Sequence, residues 1–190
     1  MKIHKRVNYR FKKIVEIAEV KENEKILDLG CGINQNLKNF LPKVKYIGVD
    51  IKSGDIKHDL EKSLPKILKK QNFDVIFLNE ILEHIENFKS LLSECREILT
   101  IKGRVIISTP SNNRILYGDF FNGIGEHLFH IHCFRKTNMR NLARICGFNV
   151  DRIIGTTIRI PPILPKYIVI PTNQTIYTEV IIYRLSPKSL

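Results

Sequence analysis

Apolar residues along this chain fall into short continuous runs separated by segments with helical periodicity. The runs at 26–29, 44–49, 73–78 and 104–108 have the length of buried strands, and a short strand is expected near 55–58. The uninterrupted run at 73–78 is typical of the centre of a parallel sheet, where both faces are covered. Two later strands are predicted at 149–154 and 175–183. The pattern predicts an α/β fold.

Amphipathic segments lie between and around these strands. Apolar residues recur at helical spacing in 5–20, 87–99 and 139–146, and shorter helices are predicted at 37–41 and 60–70. Gly147 is expected to end the helix before it. The proline-rich stretch 160–171 can form neither a regular helix nor a central strand. Strands thus alternate with helices through most of the chain, as in an open sheet covered on both faces.

Length and composition indicate one domain with a substantial core, because the chain has 190 residues, 43% of them hydrophobic. No apolar run approaches the roughly 18 residues that span a membrane. The basic N-terminus lacks the apolar segment of a secretory signal. The four cysteines are widely spaced and contain no C-x-x-C pair, which favours reduced thiols over disulfides or a zinc site. A cytoplasmic protein is expected.

The charge balance is strongly basic, with a formal net charge of +12. Such a surplus favours polyanionic partners, including RNA, acidic glycans and anionic membrane surfaces. Genome composition or growth temperature can produce the same lysine-rich surface without any such partner. One group of basic residues precedes the first acidic residue and comprises Lys2, Lys5, Arg6, Arg10, Lys12 and Lys13. A second basic group lies at 135–144.

Two glycines follow the first predicted strand. Asp28, Gly30 and Gly32 read D-x-G-x-G, and Asp50 ends the next strand twenty residues after Gly30. Glycine lets a ligand lie against the main chain, and an acid at the end of the second strand can bind both ribose hydroxyls. The dinucleotide fingerprint needs a third glycine where this chain has Gln35, so an NAD site is disfavoured. The pattern indicates another nucleoside-containing ligand.

The D-L-G-C-G segment, together with F-D-V-I-F-L-N-E-I-L-E-H and G-R-V-I-I-S-T-P further along, resembles class I S-adenosylmethionine (SAM) dependent methyltransferases of the ubiquinone-pathway (type 11-like) superfamily. The resemblance is close over about the first 110 residues. It implies a doubly wound, Rossmann-like sheet of seven strands, six parallel and one antiparallel, in a single domain. Its parts would be an N-terminal helix (1–24), a SAM-binding core (25–110) and acceptor-side loops with C-terminal strands (111–190).

The resemblance also implies which residues bind SAM. They are Asp28, Gly30, Cys31, Gly32, Asn34, Asp50, Ile51, Asp59, Leu60 and Asn79. Asn34 stands where the family usually has a further glycine, and asparagine enters the left-handed region readily. Asp50 would bind the ribose and Asp59 the adenine. Asp59 can also be read as the N-cap of the helix predicted at 60–70.

Three side chains after the strand at 73–78 are spaced as if to bind a metal. Glu80, Glu83 and His84 stand at i, i+3 and i+4, so they would share one side of a helical turn. A Mg²⁺ or Mn²⁺ ion held there would bind an acceptor hydroxyl and lower its pKa. The arrangement is similar to that of ubiquinone-pathway O-methyltransferases and small-RNA 2′-O-methyltransferases, which carry a metal. The alternative is that His84 packs beneath the site without a metal.

Three of the six histidines, His127, His130 and His132, lie close together in one predicted loop. One of them can act as the general base, or as a fourth ligand of the metal site, with His84 a further catalytic candidate. The alternative is that the loop histidines only connect the loop to the sheet. Asn112, Asn113 and Tyr117 follow the Ser-Thr-Pro turn and would line the acceptor pocket, with ordinary turn chemistry as the alternative.

The function expected from these residues is SAM-dependent methyl transfer to a hydroxyl or amine of a small molecule, glycan or lipid precursor. The protein must hold the acceptor against the methyl group and take up its proton. Two alternatives remain open. One is a metal-dependent RNA 2′-O-methyltransferase, which would also explain the basic charge. The other is a non-catalytic regulator that binds SAM or another nucleotide.

Overall fold

The computed structural model describes residues 2–111, 132, 134–160, 168–171, 178 and 180–188. The first half contains α1 (Lys2–Ala18), β1 (Lys25–Leu29), a 3₁₀ turn (Asn36–Phe40), β2 (Lys45–Asp50), β3 (Ile56–Lys57), α2 (Lys66–Lys69) and β4 (Phe73–Asn79). There follow a 3₁₀ turn (Leu82–His84), α3 (Phe88–Glu97), β5 (Leu99–Pro110), α4 (Lys136–Ile145), β6 (Phe148–Gly155), β7 (Thr157–Ile160), β8 (Ile168–Pro171) and β9 (Val180–Pro187). No helix in these ranges is long and apolar enough to cross a membrane.

Seven strands form one sheet in the order β3-β2-β1-β4-β5-β9-β6. Strand β9 runs antiparallel to both of its neighbours, and the other six strands are parallel to one another. The predicted doubly wound, Rossmann-like sheet is therefore confirmed. Strands β7 and β8 pair with each other outside this sheet, in agreement with the exclusion of the proline-rich stretch from a central strand.

Both faces of the sheet are buried, because neighbouring residues of each parallel strand point to opposite sides. On one face, α1 packs its apolar side against the central strands through Ile14, Ile17, Ile26, Phe77 and Ile106. The opposite face packs against α3 and α4 through a larger group that includes Leu27, Leu29, Ile76, Leu92, Met139 and Ala143. The apolar periodicity of the two helices predicted at 87–99 and 139–146 thus identified their buried sides.

Two predicted helices are shorter than expected. The segment predicted at 37–41 is a 3₁₀ turn, and the segment predicted at 60–70 contains only the single turn Lys66–Lys69. Pro65 precedes that turn with an extended ψ of 140°, so the helix cannot begin earlier. Asp59 is consequently not a helix N-cap. Gly147 does end α4 in the left-handed region, with φ +79°, as predicted.

A buried arginine ties the end of α1 to the amino ends of the strands. The Arg104 guanidinium donates to both carboxylate oxygens of Glu24, at 2.9 and 2.8 Å, and to the carbonyl oxygens of Ala18 and Glu19. Burial, the largest single influence, raises the pKa of Glu24, but the hydrogen bonds from Arg104 and the Lys21 amide and the positive charges of both residues together lower the pKa overall. We call this group, Arg104, Glu24, Ala18 and Glu19, the Arg104 anchor.

Candidate active site

The glycine loop after β1 is held by main-chain hydrogen bonds to the end of β2. The amides of Gly30 and Cys31 donate to the carbonyl of Val49 at 2.8 and 3.1 Å. Gly30 has φ +77°, and a Cβ atom there would stand 2.9 Å from the Ile81 side chain. Gly32 has φ +71°, yet a Cβ atom there would meet nothing within 4 Å. Packing therefore requires glycine at Gly30, whereas Gly32 leaves its backbone open to a ligand.

The left-handed residue after these glycines is not the one expected. Asn34 does not have a positive φ, whereas Gln35 adopts φ 44° and ψ 44° just before the 3₁₀ turn Asn36–Phe40. The loop therefore makes its final reversal one residue later than a third glycine at the position of Asn34 would imply. Asn34 was expected to replace a glycine because asparagine readily adopts left-handed backbone angles, and this explanation is wrong.

Asp50, at the carboxyl end of β2, closes the glycine loop. Its Oδ2 atom accepts the amide of Gly32 at 3.1 Å, and its Oδ1 atom accepts the amide of Lys52 at 2.9 Å and the Ser53 hydroxyl at 3.4 Å. A carboxylate has about four acceptor positions, so it retains capacity for a hydroxyl ligand. The neighbouring Ile51 is 63% exposed and offers an apolar surface at the same edge.

Asp28 is an unusual carboxylate because it lies in the core, 1% exposed, on the strand that leads into the glycine loop. Its Oδ2 atom accepts the Tyr46 hydroxyl at 2.7 Å. Burial raises the pKa of Asp28, the Tyr46 hydrogen bond opposes this, the negative charge of Asp50 adds to it, and the result is about 7. Sequence reasoning did not find Tyr46, because nothing in the motif indicates that its ring would reach across the strand.

Cys31 and Asp55 pack the outer side of the loop. The Cys31 Sγ atom would lie 3.0 Å from a Cβ atom at Gly48 and 3.1 Å from one at Gly54. Asp55 accepts the Gly48 amide at 2.7 Å and donates its own amide to the Gly48 carbonyl at 2.8 Å. Burial and the nearby carboxylate of Asp28 raise the pKa of the Cys31 thiol to about 12. Cys31 is thus a neutral packing residue.

The segment expected near the adenine follows β3. The Asp59 carboxylate accepts the Glu61 amide at 3.1 Å and so forms a local turn, which leaves part of the carboxylate available. The Leu60 side chain belongs to the main core and is 7% exposed. Any contact of Leu60 with a ligand therefore has to come from its backbone.

Unused polar atoms collect at the carboxyl ends of β4 and β5. Within the described residues, both side-chain polar atoms of Asn79 are buried and make no hydrogen bond. The same holds for the hydroxyls of Ser108 and Thr109 and for Asp28 Oδ1. Asn79 and Ser108 are partners in the sheet register. Buried polar atoms are normally paired, so atoms left unused at one edge indicate a ligand site.

The predicted metal ligands do not form the expected turn. Glu80 has φ +53° and stands before the 3₁₀ turn, so it does not share a helical face with Glu83 and His84. Its Oε2 atom lies 3.3 Å from Arg10 of α1, and its amide donates to the Ser108 carbonyl at 3.0 Å. Among the described residues, no three His, Cys, Asp or Glu side chains group as metal ligands. The prediction that the three side chains share one side of a helical turn is wrong, and a cation site at these residues stays a prediction.

Arg10 was not singled out from the sequence beyond its place in the N-terminal basic group. The helical phase of α1 puts it beside the buried Phe11, with the guanidinium 5.5 Å from that ring. Its Nε atom is buried and makes no hydrogen bond within the described part of the chain. The ion pair with Glu80 brings this cation to the carboxyl edge of the sheet.

One of the three loop histidines can be placed. The His132 amide donates to the Glu83 carbonyl at 3.1 Å, and its ring lies edge-on to Phe88 at 4.8 Å between centroids. The His132 Nε2 atom is buried and makes no hydrogen bond with the described residues. His127 and His130 lie outside the described residues, as do Asn112, Asn113 and Tyr117.

The strand order and the glycine loop at the carboxyl ends of β1 and β2 define the class I SAM-dependent methyltransferase fold. Comparison with known families gives the same result: the chain belongs to the methyltransferase domain family, whose model matches residues 3–153. That match includes α1 and the whole glycine loop. It does not single out the ubiquinone-pathway subfamily.

Three similar proteins illustrate the relationship. The chain is 26% identical over 121 residues to (S)-coclaurine N-methyltransferase of Papaver somniferum, covering 54% of this chain and 34% of that protein. It is 30% identical over 115 residues to phosphoethanolamine N-methyltransferase 1 of Zea mays, covering 51% and 23%. A SAM-dependent methyltransferase from Thermotoga maritima superposes with a TM-score of 0.67 at 18% identity, covering 95% and 91%. The chain thus spans about a third or less of these two curated relatives.

Proposed function

We propose that this chain binds SAM at the carboxyl edge of the sheet and transfers its methyl group to an amine or hydroxyl of a small molecule, glycan or lipid precursor. The observation that supports the proposal best is the group of unused polar atoms on Asp28, Asn79, Ser108 and Thr109, next to the open backbone of Gly32. An amine acceptor is favoured, because the two plant relatives are named as N-methyltransferases.

The residues at this edge fit SAM. Gly32 allows close approach of the ligand, Asp50 retains acceptor capacity for ribose hydroxyls, and exposed Ile51 can pack against the adenine. Asp28 and Glu80 can accept from the ammonium group of the methionine part, while Arg10 can donate to its carboxylate. Both a carboxylate and an ammonium group would thereby find oppositely charged partners. Cys31 and Leu60 would contribute packing and backbone contacts only.

When bound, SAM would supply an electrophilic methyl carbon, to which an acceptor nitrogen or oxygen would bond while the carbon–sulfur bond breaks and S-adenosylhomocysteine leaves. The chain has to orient the acceptor and take its proton. The Nε2 atom of His132 is buried and makes no hydrogen bond with the described residues, and we propose His132 as the proton acceptor, with His127 and His130 as further candidates. Replacing all three histidines should abolish turnover while leaving SAM affinity unchanged. Full turnover would assign the loop a structural role.

Asp50→Ala tests the cofactor site. SAM binding measured by calorimetry should be abolished, because the variant loses both the ribose acceptor and the hydrogen bond to the Gly32 amide. The matched control is Asp151→Ala, since Asp151 is an exposed carboxylate on β6 that accepts the Ser186 hydroxyl at 2.7 Å and, of the described residues, no other donor. Circular dichroism should show both variants folded. Unchanged affinity in Asp50→Ala would count against the proposal.

An RNA acceptor is the second candidate, and the net charge of +12 favours it. The two acceptors can be separated by incubating methyl-labelled SAM with cell extract, divided into RNA, lipid, glycan and small-molecule pools, with and without a chelator. Label in the small-molecule, lipid or glycan pool, unaffected by chelator, is the expected result. RNase-sensitive label that is lost with chelator would replace the preferred acceptor by RNA and restore a metal. The non-catalytic regulator predicts no transfer to any pool.

A cytoplasmic location remains a prediction from the cysteine pattern. The division into segments 1–24, 25–110 and 111–190 is likewise proposed as a functional division of one domain. The first segment is not structurally independent, because α1 supplies one side of the core and places Arg10 beside Glu80.

A further inference from the structure

Tyr46 reaches Asp28 because of a glycine between them. In the register of β1 and β2, Asp28 is opposite Gly48, and Tyr46 precedes Gly48 by two residues and so lies on the same face. A Cβ atom at Gly48 would stand 3.1 Å from Cε1 of the Tyr46 ring. The ring therefore lies over the position that a side chain would occupy. From there its hydroxyl donates to Asp28 Oδ2 at 2.7 Å.

This contact leaves the two oxygens of Asp28 in different states. Oδ2 is bound by Tyr46, whereas Oδ1 is buried and makes no hydrogen bond with the described residues. A single hydrogen bond from a packed phenol fixes the rotation of the carboxylate about its Cβ–Cγ bond. It thereby fixes the direction in which Oδ1 points.

We propose that Tyr46 is a positioning residue of the cofactor site: its hydroxyl orients Asp28 and stabilises the ionised carboxylate, so that Oδ1 can accept from the ammonium group of SAM. This inference rests on the proposed function. It assigns Tyr46 no contact with the substrate. It adds a residue that neither the glycine motif nor its spacing indicates.

The role of Tyr46 can be measured through the pH dependence of SAM binding, because several charged groups influence the ionisation of Asp28. Asp50 at the end of β2 opposes ionisation of Asp28 and Tyr46 favours it, and burial keeps the pKa of Asp28 near 7. Cys31 is a neutral thiol, and Asp55 adds negative charge on the loop side. Two cations of other elements belong to the same region: Lys38, whose Nζ lies 5.2 Å from the centre of the Tyr46 ring, and Arg10 of α1, which is paired with Glu80.

The sign of the pH effect follows from these charges. An ammonium ligand binds the ionised form of Asp28, so affinity for SAM should rise as the pH increases through the pKa of Asp28. Removal of the Tyr46 hydroxyl takes away a hydrogen bond to the carboxylate, and the pKa should move further up. A hydrogen bond to a charged group corresponds to a shift of about one pH unit.

The test is calorimetric titration of Tyr46→Phe and wild-type protein with SAM and with S-adenosylhomocysteine at pH 6, 7, 8 and 9. A shift of about one unit predicts that the variant binds about fivefold more weakly at pH 7 and less than about 1.5-fold more weakly at pH 9. The matched control is Tyr183→Phe, because the Tyr183 hydroxyl is buried and makes no hydrogen bond with any described residue. Its pH profile should coincide with that of the wild type.

A second variant tests the geometry while retaining the hydroxyl. Gly48→Ala introduces a Cβ atom 3.1 Å from Tyr46 Cε1 and 3.0 Å from Cys31 Sγ, and a pH profile that shifts in the same direction as that of Tyr46→Phe would support the proposed geometry. A wild-type profile in folded Tyr46→Phe would overturn the inference while leaving the proposed function intact. Absence of SAM binding by the wild type at every pH would overturn the proposed function itself.

Discussion

The two ends of the central sheet differ in whether their buried polar groups are hydrogen-bonded by the described residues. At the amino ends of the strands, every guanidinium nitrogen of Arg104 has a partner, and both oxygens of Glu24 are used. At the carboxyl ends, Asn79, Ser108 and Thr109 bury polar atoms that the described residues leave unpaired. The same strands contribute to both ends. We therefore infer that the polar groups at the amino ends stabilise the fold, whereas those at the carboxyl ends are available to a ligand.

The difference between the two edges affects the free energy of unfolding of the ligand-free protein. A buried polar atom without a partner costs about 1–3 kcal/mol, and several of them at one edge reduce the stability of the ligand-free protein. A ligand that forms hydrogen bonds with these atoms would recover this free energy on binding. Substitutions at the amino edge should therefore reduce the free energy of unfolding, whereas polar-to-apolar substitutions at the carboxyl edge should preserve or increase it.

Arg104→Met should give the largest effect at the amino edge. It leaves the carboxylate of Glu24 and two main-chain carbonyls without their donor, so the free energy of unfolding should fall by about 3–5 kcal/mol in chemical denaturation. The control is Arg152→Ala, because Arg152 makes a half-exposed ion pair with Glu19 at 3.0 Å. It should cost less than about 1 kcal/mol. Equal losses in the two variants would contradict the role of the Arg104 anchor.

Asp28→Asn should give the largest effect at the carboxyl edge, and with the opposite sign. Because folding raises the pKa of Asp28 from 3.8 to about 7, the wild type loses stability as the pH rises through this interval. The loss is on the order of 4 kcal/mol and is complete above pH 7. The variant lacks this loss, so it should be more stable than the wild type at pH 8 and similar at pH 4.

Thermal unfolding at pH 4, 6 and 8 checks this prediction, and the melting temperature should shift by about 2–4 °C for each kcal/mol of change in the free energy of unfolding. The same variant should bind SAM more weakly at pH 8, since its amide carries no charge to meet an ammonium group. A variant that is destabilised equally at all three pH values would indicate that Asp28 is needed for the fold.

The two loop glycines should differ in their effect on stability. Gly30→Ala combines a left-handed backbone with a contact at 2.9 Å to Ile81, whereas Gly32→Ala has only the backbone strain. Gly30→Ala should therefore lower the free energy of unfolding by about 1–3 kcal/mol more than Gly32→Ala. Both should weaken SAM binding, as measured by calorimetry. A greater loss of stability in Gly32→Ala would show that its surroundings are not open.

The smallest expected effects come from two threonines at opposite ends of β5. Thr109→Val removes a buried hydroxyl that makes no hydrogen bond within the described ranges and should change the free energy of unfolding by about 0 to +1 kcal/mol. Thr100→Val removes a hydroxyl that donates to Asp74 at 3.3 Å and should cost about 0.5–1.5 kcal/mol. Chemical denaturation of the pair compares the two edges along a single strand.

The fold could be predicted from the sequence because apolar runs and helical periodicity report directly on burial. The glycine loop was predictable as well, since Gly30 and Asp50 occupy fixed positions at strand ends. Helix lengths at 37–41 and 60–70 were wrong because local turn geometry, including Pro65, overrides a short apolar pattern. The expectation of seven strands, six parallel and one antiparallel, came from the resemblance to a family.

The errors at the site share one physical cause. The metal prediction assumed that Glu80 continues a helical turn, and the prediction for Asn34 assumed which residue reverses the chain. Both depend on single φ angles, at Glu80 and Gln35, that residue type does not determine. Arg10 and Tyr46 were missed for another reason, because their reach across elements depends on helix phase and on the absence of a side chain at Gly48.

The helix α1 touches both ends of the sheet, and this has a consequence for recombination between relatives. Arg10, in the middle of its 17 residues, lies near Glu80, and Ala18, at its end, belongs to the Arg104 anchor, about 12 Å further along the helix axis. A crossover between α1 and β1 would therefore replace α1 in two interfaces at once, its contact with Glu80 and its contact with the Arg104 anchor. Chimeras intended to exchange acceptor preference should inherit residues 2–110 from one parent, with the crossover placed after β5.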